Sequence, residues 1–172
     1  MRRRVVLPAL ALLMPLAACD RGEDDAKTED TVVSRTAETE LAPWLSPKDG
    51  TDPARWLAGR EAGHPLANDA PPVQAMRTSL ARAAEGFIED RRMIANRTVQ
   101  LGQMLAESGK AEGYRDLLDG LGRIAAARGR HKSLYGEMCQ HYVNIRNRGL
   151  GHEAALAELS ENEVRPLTRS AP

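Results

Sequence analysis

From Val73 onward the chain repeats with a helical period and with no other. Val73, Met76, Leu80, Ala84, Phe87, Ile88, Ile94, Leu101 and Leu105 recur at threes, fours and sevens, tracing one apolar stripe over about nine turns. This pattern predicts a single long helix that stops at Gly109, with Gly86 as the place where it would kink. Tyr114, Leu117, Leu118, Leu121, Ile124 and Ala125 repeat the pattern in a second helix ending near Gly129, where Gly120 and Gly122 allow close packing. A third helix carries Leu134, Tyr135, Met138, Tyr142 and Ile145 and stops at Gly149. Leu150-Gly151-His152-Glu153 turns the chain into a short fourth helix with Leu156 and Leu159, which Pro166 ends. No segment alternates with the period of two that a strand requires. The expected fold is therefore all-α, an antiparallel bundle of three to four helices over residues 73–165 with a tail at 166–172.

The preceding text has a different composition. Between Asp20 and Ala42 it carries Glu23, Asp24, Asp25, Glu29, Asp30, Glu38 and Glu40 with few large apolar residues, too little to offset its ordering entropy. Residues 43–72 are rich in Pro, Gly and Asp, which makes 19–72 a flexible tether with a reach of about 40 Å. Inside it, Asp52-Pro53 reads as an N-cap followed by proline at the first helical position, and Gly59 as a stop, so a short helix presents Trp56. Trp44 and Trp56 are the two tryptophans of a chain with one phenylalanine and three tyrosines. Such large amphipathic rings either fold back onto the chain's own helices or serve as anchors for a partner.

The N-terminus resembles a bacterial lipoprotein signal peptide. Arg2, Arg3 and Arg4 precede an apolar run from Val5 to Leu16, and Leu16-Ala17-Ala18-Cys19 has the form of a lipobox. The run, interrupted by Pro8 and Pro15, is shorter than the ~20 residues that span a bilayer. The resemblance implies cleavage after residue 18, lipidation of Cys19 by palmitate-like chains, and a body held at the periplasmic side of a membrane. Asp20, directly after that cysteine, resembles the signal that retains lipoproteins in the inner membrane. Removing the three arginines leaves 21 basic against 24 acidic residues, a mildly acidic body with no sign of nucleic-acid binding. Cys139 is the one other cysteine, so the core and not an intrachain disulfide must hold the fold.

Chemical motifs are few. The four histidines form no HExxH pattern, and no Cys-x-x-Cys-His sequence is available for haem. Glu137 and His141 lie four apart on one helical face, a candidate pair for a metal, but a bundle site needs comparable ligands from several helices, and Glu85 with Glu89 supplies only part of a second set, without the Glu-x-x-His pairing that would complete it. Cys139 and His141 are separated by about 200° around a helix and face apart. No cofactor, no metal and no catalytic residue are expected. The basic connection containing Arg128, Arg130 and Lys132 is either a docking patch or a polar loop near a helix C-terminus, where cations are favoured. The acidic residues Glu85, Glu89 and Asp90 read as solvated surface.

Three segments carry a further likeness. Arg92-Met93-Ile94-Ala95-Asn96-Arg97-Thr98-Val99-Gln100-Leu101, then Met138-Cys139-Gln140-His141-Tyr142-Val143-Asn144, then Gly149-Leu150-Gly151-His152-Glu153-Ala154-Ala155-Leu156 resemble the MxaH type of methanol-oxidation lipoprotein. The resemblance implies a non-enzymatic accessory role beside the periplasmic quinoprotein methanol dehydrogenase, in its assembly or stabilisation. The polar set Asn96, Gln100, Gln140, His141 and Asn144 reads either as a hydrogen-bonded core network or as exposed helix surface. Two other readings fit the topology: an envelope-structural scaffold lipoprotein, and a small metal or cofactor carrier using Glu137 and His141.

Overall fold

Asp52 and Pro53 begin a helix as their order predicts. The Asp52 carboxylate accepts from the Ala54 amide at 3.0 Å, and Pro53, with no amide hydrogen to leave unpaired, takes the first helical position. The computed structural model describes residues 41–164; the signal segment, Cys19, Asp20 and the tail 166–172 lie outside them. Its helices are α1 (Pro53–Ala62), α2 (Pro71–Gly86), α3 (Arg91–Glu107), α4 (Tyr114–Ala127), α5 (Tyr135–Asn147) and α6 (His152–Val164). Among the described residues no strand is formed, and one isolated bridge joins Phe87 to Ser133. The all-α bundle is as expected; among the described residues it has six helices, one of them the short helix expected after Asp52, with five where three to four were expected.

The single long helix expected from Val73 to Leu105 is two. α2 stops at Gly86, Phe87 is extended, and Asp90 starts α3 by accepting from the Met93 amide at 2.7 Å. Phe87 and Ile94 lie seven residues apart, two full turns, so the stripe stays in phase across the break and the period alone cannot reveal it. At Gly86 a side chain is excluded: a Cβ there would lie 2.6 Å from the Ala125 Cβ. Just beyond this contact Phe87 drops into the core against Tyr135, edge to face at 4.9 Å.

Successive helices from α2 run antiparallel, and alternate ones run parallel. Arg82 meets Asp119, Ala83 lies beside Gly122 and Gly86 beside Ala125, so α2 and α4 ascend together. Glu89 meets the start of α5 while Arg146 meets the residues just after α3, which sets α3 parallel to α5. Gly120, foreseen as a close-packing position, gives way to the Leu156 side chain of α6: a Cβ on it would lie 2.6 Å from Leu156 Cδ1.

The tether gives up much of its length to the bundle. Leu45, Trp56 and Leu57 are buried in the same core as Val73, Leu80, Ile94, Leu117 and Tyr142. α1 runs through Gly59 and stops at Gly63, whose φ of 78° is left-handed. A Cβ at Gly59 would lie 3.0 Å from the Leu41 side chain and 3.1 Å from the His64 carbonyl, so this glycine serves close packing and not the expected stop. The expected boundary at residue 72 thus moves toward the N-terminus, at least as far as Leu41.

Candidate functional site

Two helices borrow their caps from distant carboxylates. Neither Gly113 before α4 nor Leu134 before α5 offers a capping side chain. Glu61 of α1 accepts from the Tyr114 amide at 2.6 Å, and Glu89 accepts from the Tyr135 and Gly136 amides at 2.8 and 3.1 Å. A carboxylate on the free amides of a helix start is favoured by both hydrogen bonding and the dipole. Glu89 is therefore a structural clamp, not the solvated surface residue its sequence context suggested.

A polar network closes the far end of α5. Arg146, buried, donates from Nη1 to Glu112 and to the Tyr142 oxygen, the latter at 2.9 Å. The Tyr142 hydroxyl in turn shares a hydrogen bond with Nδ1 of His152 at 2.7 Å. Burial pushes the Tyr142 phenol up to about 12, against the lowering effect of Arg146. These groups fasten the α3–α4 connection and the start of α6 to α5.

The candidate chemical residues are dispersed. Cys139 is a free, buried thiol, and desolvation pushes it up to about 12, so it stays protonated at neutral pH. His141 projects to solvent and meets Glu163 at 3.3 Å, while Glu137 is exposed one turn earlier. Among the described residues no three His, Cys, Asp or Glu side chains are placed to share a metal ion. Of the polar set, Asn96 alone is buried; Gln100 pairs with Arg97, and Gln140 with Asn144, on the surface.

The docking candidates separate in the same way. Trp56 is 2 % exposed and donates from its indole nitrogen to the Ala42 carbonyl at 2.7 Å, so it anchors the chain to itself. Trp44 remains 46 % exposed. Arg128 is drawn inward to Glu163 and Ser133, whereas Arg130 and Lys132 are exposed and enter no ion pair among the described residues. Sequence reasoning missed two neighbours of this loop. Ile88 and Leu134, both assigned to core stripes, are 64 % and 41 % exposed. The signal was the adjacent pair Phe87-Ile88, since consecutive residues in an extended segment face opposite ways and only one can enter the core.

A family model, MoxZ, matches residues 54–164. The chain belongs to the MoxZ family. The match runs from the second residue of α1 to the last of α6, so the MoxZ unit includes the Trp56 helix that the sequence reading left in the tether. The protein named "Protein MoxZ" from Paracoccus denitrificans is 29 % identical over 148 residues, covering 86 % of each chain. No solved structure matches. MoxZ is a methanol-oxidation-associated family, which agrees with the setting suggested by the three segments, although the matching family is MoxZ and not the MxaH type. Ile88, Arg130, Lys132 and Leu134 all lie within the MoxZ span, and Trp44 lies outside it.

Proposed function

We propose that this MoxZ-family protein is a lipid-anchored accessory protein on the periplasmic side of a membrane, without catalytic activity of its own, that binds a component of a methanol-oxidation system. Quinoprotein methanol dehydrogenase is the partner, and assembly or stabilisation of that enzyme is the task. The observation that carries the reading is the MoxZ match across all six helices. The likeness of the three segments to a methanol-oxidation lipoprotein supports the setting. The lipobox ending at Cys19 supports the anchor, with Asp20 favouring the inner membrane. Two or more acyl chains would hold the body firmly, since one alone binds marginally and each buried methylene contributes ~0.8 kcal/mol.

The test is deletion of the gene in its native host grown on methanol. The reading predicts a loss of assembled methanol dehydrogenase, restored by the wild-type chain and poorly restored by Cys19→Ala. Unchanged growth, enzyme level and enzyme activity in the deletion strain would refute it.

A further inference from the structure

The large apolar side chains exposed among the described residues are Trp44, Ile88 and Leu134, and two of these three flank one backbone bridge. The Ile88 amide donates to the Ser133 carbonyl at 3.1 Å, and Phe87 pairs with Ser133 in the parallel sense. Ile88 and Leu134 each follow a bridged residue. The bridge brings their backbones close, and both side chains are exposed while the Phe87 ring is buried. The pair is held in place from both sides, by the Asp90 cap of α3 and by the Glu89 clamp on α5. Single exposed aliphatic residues are ordinary, but two presented together on a pinned link are what a compact binding anchor requires.

The chain leading into this link supplies two exposed cations, Arg130 and Lys132. Arg130, His131 and Lys132 are exposed immediately before Ser133. Of the nearby carboxylates, Glu89 is engaged by the α5 amides, Glu163 by Arg128, and Asp90 by the start of α3 and, at 3.7 Å, by Arg92, whereas Glu85 and Glu137 are exposed. An apolar pair edged by uncommitted cations complements an apolar recess edged by Asp and Glu.

We propose that Ile88 and Leu134, rimmed by Arg130, His131 and Lys132, form the docking surface of this protein for an acidic surface on a partner protein. The proposal rests on the accessory reading above and names the chemistry of the partner's face. A bilayer is the poorer match, because membrane-lying faces carry an apolar stripe the length of a helix, and here there are two aliphatic side chains on a fixed link.

Photo-crosslinking residues placed at 88 and at 134 of the tagged full chain, with a control at exposed Gln103, test this in the native host. Expected is a protein adduct at 88 and 134 but not at 103. Its yield should fall at least about tenfold when Arg130→Glu and Lys132→Glu are added, and should fall with rising salt. Circular dichroism of the doubly substituted chain should show unchanged melting. An adduct that persists unchanged after charge reversal, an adduct only to lipid or to a second copy of the chain, or no adduct above the control would each overturn the docking surface. The two readings fail separately. A salt- and charge-dependent adduct to a protein outside methanol oxidation would uphold the surface and overturn the accessory role. Co-purification of methanol dehydrogenase without adducts at 88 and 134 would do the reverse.

Discussion

Asn96 holds both backbone groups of Leu45: its Oδ1 accepts from the Leu45 amide at 2.9 Å, and its Nδ2 donates to the Leu45 carbonyl at 3.0 Å. Both residues are buried, and Arg92 adds a third hydrogen bond to the same carbonyl at 3.3 Å. A carboxamide is the one side-chain group that supplies an acceptor and a donor at this spacing without charge. It ties the segment before α1 to the second turn of α3. Asn96→Leu leaves the buried Leu45 amide without a partner and its carbonyl with Arg92 alone, at a cost of about 1–3 kcal/mol. Asn96→Asp keeps the shape and loses the donor, so it should also destabilise. Urea unfolding followed by circular dichroism measures both. A midpoint unchanged in both variants would contradict the clamp.

The two tryptophans are predicted to behave oppositely. Trp56 fills the core beside Leu57 and Leu45, and Trp56→Ala should cost about 3–5 kcal/mol. Trp44→Ala should change stability by no more than about 0.5 kcal/mol, because half its surface already meets solvent. Thermal melting of the two single variants separates them, and equal losses would contradict the placement of Trp56.

Removing a borrowed cap should weaken one helix at a distance. Glu89→Ala leaves the Tyr135 and Gly136 amides without their acceptor, and Glu61→Ala does the same at Tyr114, each at a cost of about 1–2 kcal/mol. Hydrogen exchange should show faster exchange at the first turn of α5 in the former and of α4 in the latter. Faster exchange confined to the helix carrying the substitution would be the contrary result.

Alkaline pH should destabilise the fold. Burial raises Cys139 from 9.0 to about 12 and Tyr142 from 10.0 to about 12, and raises Tyr135 further from its ordinary value. Above pH 9 the unfolded chain then holds fewer protons than the folded one, so stability is full below about pH 9 and falls progressively as pH rises toward 12. Cys139 should accordingly resist a thiol reagent at pH 8 in the native state and react once the chain is unfolded. Rapid labelling of the native protein, or a urea midpoint flat from pH 8 to 11, would contradict this.

Elements set by local rules were legible in the sequence. Asp52-Pro53 announces α1, Gly109 ends α3 as expected with the Lys110 amide bonded to the Leu105 carbonyl at 2.8 Å, and the stripes of α4 and α5 face the core. Features set across the fold were not legible. The break at Phe87 kept the apolar stripe in phase, so Ile88 was counted inside a helix that stops before it. Glu61 and Glu89 act on amides more than forty residues away, at sequence separations of 53 and 46, beyond any local pattern. Of the docking residues named from sequence, Arg130 and Lys132 remain at the exposed loop, while Trp56 and Arg128 point inward because the bundle supplies them with partners.

The most direct measurement is chemical crosslinking in cells of the native host growing on methanol, followed by purification of the tagged, full-length chain and identification of what accompanies it. Methanol dehydrogenase subunits are expected in the membrane fraction, their recovery strongly reduced by Ile88→Asp combined with Leu134→Asp, and the tagged protein itself released from that fraction by Cys19→Ala. Recovery of self-crosslinks or general envelope proteins alone would contradict the accessory role and favour a structural scaffold.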